Sequence, residues 1–167
     1  MTQVTFHQNR VQQLMQHLPA SALGSAVFAR TLHYADRFLM NMTGDRVSIP
    51  GVLTGLPVVV LTTLGAKSGE RRTLPVIGIP DGDDILLVAS NWGQAHNPGW
   101  YYNLRAHPEA TVEFGGQASK YHAQEVTDPQ EYQRLWQRAV DVYLGYAEYR
   151  KRASHRKIPL VLLNPAT

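Results

Sequence analysis

A chain of 167 residues with a formal charge of +3 and no cysteine is the size of one domain, and folding at that length buries roughly 70% of the surface the unfolded chain exposes. Its 44% hydrophobic and 17% charged content excludes wholesale disorder, and the missing cysteines exclude disulfides, thiolate zinc sites and cysteine nucleophiles while suiting a reducing cytosol. The charge is mild and dispersed apart from Lys67 with Arg71 and Arg72, and Arg150-Lys151-Arg152 with Arg156-Lys157, so a small anionic ligand is expected and a nucleic-acid partner is not.

In chain order, Val11, Leu14, Met15 and Leu18 fall at helical spacing before Pro19, and Phe28, Leu32, Ala35, Leu39 and Met42 repeat the stripe up to Gly44. These predict an N-terminal helical extension over residues 1–46 packed on the domain. Docking of that stripe on a membrane surface is less favoured, because few basic residues flank it. The N-terminus lacks the charged-then-apolar pattern of a signal peptide. The longest apolar run, Leu56 to Leu61, contains Pro57 and is too short to cross a bilayer, so the expected location is cytoplasmic.

From residue 47 the period changes, and residues 47–167 are expected to form the β-rich main unit of the domain. Val58 to Thr63, Arg72 to Ile79 and Ile85 to Ala89 read as a meander of three strands, with Pro80-Asp81-Gly82-Asp83 turning between the last two. A helical turn over 100–106 follows. Ala110 to Phe114 and Ala118 to Val126 pair across Gly115-Gly116, a dipeptide suited to the positive φ of a two-residue hairpin. Asp128 caps a helix with Pro129 at its first position and Tyr132, Leu135, Trp136, Ala139, Val140 and Tyr143 on one face. Ile158 to Leu163 is a last strand. Six strands with helices placed early and inserted late predict an α+β fold, an antiparallel barrel with helices at its ends.

Common catalytic patterns are absent. Ala66 separates Gly65 from Lys67, which breaks a P-loop, and neither a G-x-G-x-x-G after a strand nor a G-x-S-x-G elbow occurs. The histidines lack the i, i+4 pairing of helical metal ligands, so no metal is expected; His96, beside Asn97-Pro98, is the one retained as a candidate. What remains is the loop between the first two strands. Gly65 and Gly69 permit backbone angles that turn successive N–H groups inward as an anion nest, Ser68 adds a hydroxyl, and Lys67 and Arg72 offer cationic contacts. A solvated basic hairpin is the plain alternative.

The series L-T-T-x-G-x-K-S-G-x-x-R-x-x-P from Leu61, V-A-S-x-x-G from Val88, N-P-x-W-Y-x-N-L-x-A-x-P from Asn97, and spaced tyrosines before R-x-I-P-L at Arg156 resembles the deazaflavin-dependent nitroreductase family. These are split β-barrel oxidoreductases related in fold to pyridoxamine phosphate oxidases and flavin reductases, and the motifs run in order from about Val58 to Pro165. The resemblance implies a split barrel that binds coenzyme F-420 and passes hydride from the reduced cofactor to a planar acceptor such as a quinone, nitroaromatic or enone. It implies that Lys67, Ser68, Gly69 and Arg72 hold the phosphate and that Pro75 flanks the ring. Val88, Ala89, Ser90 and Asn91 would line the cofactor edge, Gly99, Trp100 and Tyr101 would continue that wall, and Tyr143, Tyr146 and Tyr149 would line the acceptor pocket. Ala66 and Asn91 stand where the family is commonly basic, which leaves Lys67 and Arg72 as the main cationic contacts. Gly99 stands where a larger apolar residue is common.

An anion loop does not distinguish phosphates, so an FMN- or FAD-dependent reductase of the same barrel class is the alternative, and a non-enzymatic deazaflavin-binding protein is another. Related barrels are often dimers, which makes a homodimer an expectation by fold-level analogy. The tyrosines recur every third residue and form one drifting face on an unbroken helix, which Gly145 could interrupt. They are either a core stripe or phenols that close over a ring, exclude water and donate a hydrogen bond or proton.

Overall fold

The computed structural model describes residues 56–166; the helices predicted over residues 1–46 lie outside the described residues. The described chain runs β1 (Val58–Leu64), β2 (Arg71–Ile77), β3 (Ile79–Asp81), β4 (Asp84–Val88), a 3-10 turn (Asn91–Gly93), α1 (Gly99–Ala106), β5 (Glu109–Phe114), β6 (Gln117–Glu125), α2 (Pro129–Val142), α3 (Gly145–Arg152) and β7 (Leu160–Pro165). The strands form one antiparallel sheet in the order β2-β1-β5-β6-β7-β4-β3.

That order makes the sheet a barrel. β2 and β3 occupy opposite edges, yet only Gly78 separates them in sequence, so the sheet must curl until its edges meet. The chain itself joins them, with no ladder between β2 and β3, which is the split of a split barrel. A Cβ on Gly78 would lie 2.8 Å from one methyl of Val59 and 3.0 Å from a methyl of Ile85, so side chains of β1 and β4 converge on this corner and leave no room for one more carbon.

The α+β split barrel expected from the sequence is therefore present, with two corrections. The strand predicted over Arg72 to Ile79 is cut at Gly78, which gives seven strands in place of six among the described residues. The three-strand meander does not form, because β4 pairs with β3 and β7 and not with β2. Both have one cause: at Gly78 the chain passes from one edge of the sheet to the other. Other local readings hold. Gly115 and Gly116 take φ of 59° and 79° in the turn that pairs Phe114 with Gln117. The Asp128 carboxylate accepts the Glu131 N–H at 2.8 Å above Pro129, a capped helix start.

β4 and β7 are covered on both faces. Leu86, Val88 and Leu160 pack with Leu135, Trp136 and the tyrosines of α2, α3 and the segment between them, while Leu87, Ala89, Val161 and Leu163 point into the barrel with Val59, Leu61, Val112 and Trp100, Tyr101 and Leu104 of α1. Double burial explains why 85–89 reads as a continuous apolar run and not as an alternation. α2 is fastened outside by Arg134, whose fork donates to the Asp81 carboxylate at 3.0 and 2.6 Å, and by Arg138 on the Pro80 carbonyl. Among the described residues no helix is long and apolar enough to cross a membrane.

Candidate functional site

The hairpin tip between β1 and β2 is a small closed loop. The Gly65 N–H donates to the Glu70 carbonyl and the Gly69 N–H to the Gly65 carbonyl, both at 2.8 Å, with Gly69 at φ 67°. The Ala66 N–H donates at 3.0 Å to Oδ1 of Asn103, whose Nδ2 donates at 3.0 Å to the buried Thr63 hydroxyl. One amide side chain on α1 thus fixes both the loop and the strand beneath it. The N–H groups of Lys67 and Ser68 make no hydrogen bond among the described residues. They lie beside the exposed Lys67 side chain, with Ser68 and Gly69 exposed as well. Arg72 is also exposed, but its guanidinium is held at 2.6 Å by Glu70. Pro75 sits opposite Val60 on the edge strand β2, where a missing N–H costs nothing.

The second group gathers at the end of β4. Val88, Ala89 and Ser90 are buried at 7%, 0% and 7% exposure. Because strand neighbours face opposite ways, Val88 joins the cluster that contains the tyrosines and Ala89 the cluster that contains Trp100 and Tyr101. Beyond Ser90 the chain enters a tight turn with Asn91 and Trp92 at φ 46° and 59°. The Asn91 amide donates to the His96 carbonyl at 3.0 Å, and the His96 ring nitrogen lies 3.1 Å from that same amide. Gly99 is exposed at the start of α1, whereas Trp100 and Tyr101 are buried at 7% and 4%. The Tyr101 hydroxyl donates to Glu125 at 2.9 Å, and burial, helped by that carboxylate, pushes its phenol above the ordinary value. These two rings fill the barrel end, and Tyr102, at 45% exposed, is the aromatic that faces outward.

The tyrosines do not share one unbroken helix. α2 ends at Val142 and α3 begins at Gly145, so Tyr143 lies in the break, where its ring folds across Gly145; a Cβ there would fall 2.3 Å from the phenol carbon. Tyr143, Tyr146 and Tyr149 are buried at 3%, 4% and 2% exposure and meet edge to face with centroids 5.3 to 6.2 Å apart. The hydroxyls of Tyr143 and Tyr149 bond to each other at 3.0 Å, and the Tyr146 hydroxyl has no hydrogen bond among the described residues. Burial raises all three phenols above their usual range, most strongly Tyr146 and Tyr149. A neutral buried phenol can donate a hydrogen bond, but surrendering its proton would leave a buried anion. Trp92 packs edge-on against Tyr149 at 6.0 Å, which joins the β4 loop to the tyrosine cluster.

The predicted residues therefore fall into three groups tied together by side chains that were not predicted. Asn103 links the hairpin tip to α1, and Arg156 links the β4 loop to the segment after α3. Both stand inside quoted motifs, the second Asn of N-P-x-W-Y-x-N and the Arg of R-x-I-P-L, and that placement is the signal that could have marked them. Among the described residues no cluster of His, Cys, Asp or Glu could hold a metal.

The donor set at the hairpin tip, two unbonded N–H groups beside an exposed lysine, fits a phosphate. Residues 31–165 match the family model described as F420H(2)-dependent quinone reductase. An F420H(2)-dependent quinone reductase of Mycobacterium tuberculosis is 39% identical over 110 residues, covering 64% of this chain and 72% of that protein. A solved structure described as an F420-H2 dependent reductase is 34% identical with a TM-score of 0.59, covering 65% of this chain and 94% of the other. A further solved structure, described as a domain-swapped dimer, is 28% identical with a TM-score of 0.61, covering 79% and 98%.

Proposed function

The chain belongs to the F420H(2)-dependent quinone reductase family, and on that premise we propose that it binds reduced coenzyme F-420 across the barrel end built from the β1–β2 hairpin, the end of β4 and α1, and reduces a planar acceptor there, a quinone, nitroaromatic or enone. When bound, the deazaflavin supplies the hydride; the protein supplies position and electrostatics. The observation that carries the assignment of the tail is the pair of N–H groups at Lys67 and Ser68, unbonded among the described residues, beside the exposed Lys67 side chain. Gly69 gives the turn its shape. Arg72 joins the phosphate by leaving Glu70, a small cost, because an ion pair 57% and 67% exposed is worth about 0 to 1 kcal/mol.

In this reading Val88 to Asn91 edge the ring, Pro75 flanks it and Gly99 leaves room beside it, while Trp100 and Tyr101 support the wall from within the barrel. The tyrosines act from the acceptor side. Their raised phenols suit a hydrogen bond to the acceptor oxygen as negative charge develops on it better than full release of a proton. A homodimer belongs to the same reading: one solved relative is a domain-swapped dimer, and β6, in the middle of the sheet, keeps seven of its nine residues exposed. We place the activity in the cytoplasm, in keeping with a cysteine-free chain.

Fluorescence titration with F-420, FMN and FAD tests the cofactor, and tighter binding of either flavin would sink the assignment. Stopped-flow oxidation of the bound reduced cofactor across a quinone, nitroaromatic and enone panel tests turnover. Tyr146→Phe should slow that oxidation more than it weakens cofactor binding, and an unchanged rate would remove Tyr146 from the chemistry.

A further inference from the structure

We propose that Arg156 is a positioning residue that locks the loop from Ser90 to Asn97 in the shape that edges the cofactor; this rests on the placement of Val88 to Asn91 against the ring proposed above. The loop holds Asn91 and Trp92 at φ 46° and 59°, two successive side-chain-bearing residues in the left-handed region. Such a backbone persists only where its surroundings over-determine it. Within the loop the backbone offers two short-range bonds, Gly93 N–H to the Ser90 carbonyl and Gln94 N–H to the Asn91 carbonyl, each at 3.0 Å.

The Asn91 amide adds a bond to the His96 carbonyl at 3.0 Å, Trp92 packs on Tyr149, and Arg156 contributes three bonds from 59 to 66 residues away. It donates from Nη2 to the Ser90 carbonyl at 2.8 Å, from Nε to the Gln94 carbonyl at 3.0 Å and from Nη1 to Oδ1 of Asn97 at 2.5 Å. One rigid fork grips the loop at its start, middle and end, a geometry that a lysine cannot copy. The arginine is itself anchored, since its N–H donates to the Ala153 carbonyl and the Ala153 N–H to the Tyr149 carbonyl, both at 2.9 Å. The same fork therefore ties the proposed cofactor edge to the helix that carries Tyr146 and Tyr149, alongside the packing of Trp92 on Tyr149, and it does so with three directional bonds.

The test uses the full chain with Arg156→Gln, and with Arg156→Lys should the first fail to fold. Hydrogen–deuterium exchange without cofactor should show 90–97 exchanging about tenfold faster while α2 keeps its protection, and the dissociation constant for F-420 should rise about tenfold, the loss of roughly one hydrogen bond's net worth or more. Lysine, which keeps the charge, should not restore either value. Unchanged exchange over 90–97, or faster exchange with unchanged affinity, would overturn the inference. Failure of the underlying reading looks different: F-420 added to the unsubstituted protein would then leave exchange over 90–97 unaltered.

Discussion

The hairpin tip and the tyrosine cluster are both assigned to ligands, yet they are built in opposite ways. Lys67, Ser68 and Gly69 stand in solvent on a loop closed by its own backbone, the Ser68 hydroxyl that accepts the Glu70 N–H, and one amide from α1, and their side chains are not part of the core. Tyr143, Tyr146 and Tyr149 are buried among Leu135, Ala139 and Ile158, and their rings hold α3 against the sheet. On the proposed reading the hairpin is a preformed receptor, and the exposed Lys67 side chain can be changed with little effect on stability. On the same reading the tyrosines are structural and chemical together, so only a change confined to a hydroxyl can separate the two roles.

The largest expected effect breaks the buried side. Tyr149→Ala should lower unfolding free energy by about 3 to 5 kcal/mol, the usual result of emptying a large aromatic site, read as a fall in the urea midpoint. A loss below 1 kcal/mol would mean that the cluster is not the packed unit its ring contacts describe. Next comes the exposed side. Lys67→Ala should leave the thermal midpoint unchanged and weaken F-420 binding by about tenfold to a hundredfold, the worth of one charge-assisted phosphate contact. Equal affinity for both proteins in a fluorescence titration would detach Lys67 from the phosphate.

The two regions also differ in how far they could be read from sequence. The hairpin was legible because its chemistry is local: β-branched runs bracket a loop whose glycines and cations stand side by side. The Gly-Gly turn and the Asp128-Pro129 helix start were legible for the same reason. The tyrosine cluster was only half legible, because spacing alone does not reveal that Tyr143 leaves the helix and folds over Gly145. Gly78 looked like a residue inside a strand, and its role emerges only when Val59 and Ile85 are seen to converge on it. Trp100 and Tyr101 are expected in sequence to continue the cofactor wall, and spacing alone does not show that α1 turns both rings into the barrel. Asn103 and Arg156 act across 37 to 66 residues, a separation at which no periodicity speaks.

Asn103→Ala tests whether the hairpin depends on α1. It removes the partner of the buried Thr63 hydroxyl and of the Ala66 N–H, at a cost of about 1 to 2 kcal/mol in stability. Because the loop loses its fastening, F-420 affinity should fall as well. A stability loss with unchanged affinity would show that the hairpin holds its shape unaided.

The smallest effect is one of pH, and it lies on the side of the tyrosines. The Arg134 guanidinium beside Asp81 holds the Asp81 carboxyl below the usual carboxylate range and fastens α2, and with it the helix pair around Tyr143, to β3. A carboxyl whose folded pKa is depressed stabilises the fold fully above its unfolded value and loses that contribution as pH falls through the folded one. The window therefore lies below about pH 4, the ordinary carboxylate range. With the Arg134 side chain 51% exposed, the term should stay under about 1 kcal/mol. Urea midpoints of the native protein and Asp81→Asn should differ at pH 6 and converge toward pH 3, while F-420 affinity at pH 6 stays the same in both because the hairpin lies elsewhere on the barrel. A gap that persists at pH 3 would assign the stabilisation to packing of the side chain, and a change in affinity would mean that α2 and the cofactor loop are coupled.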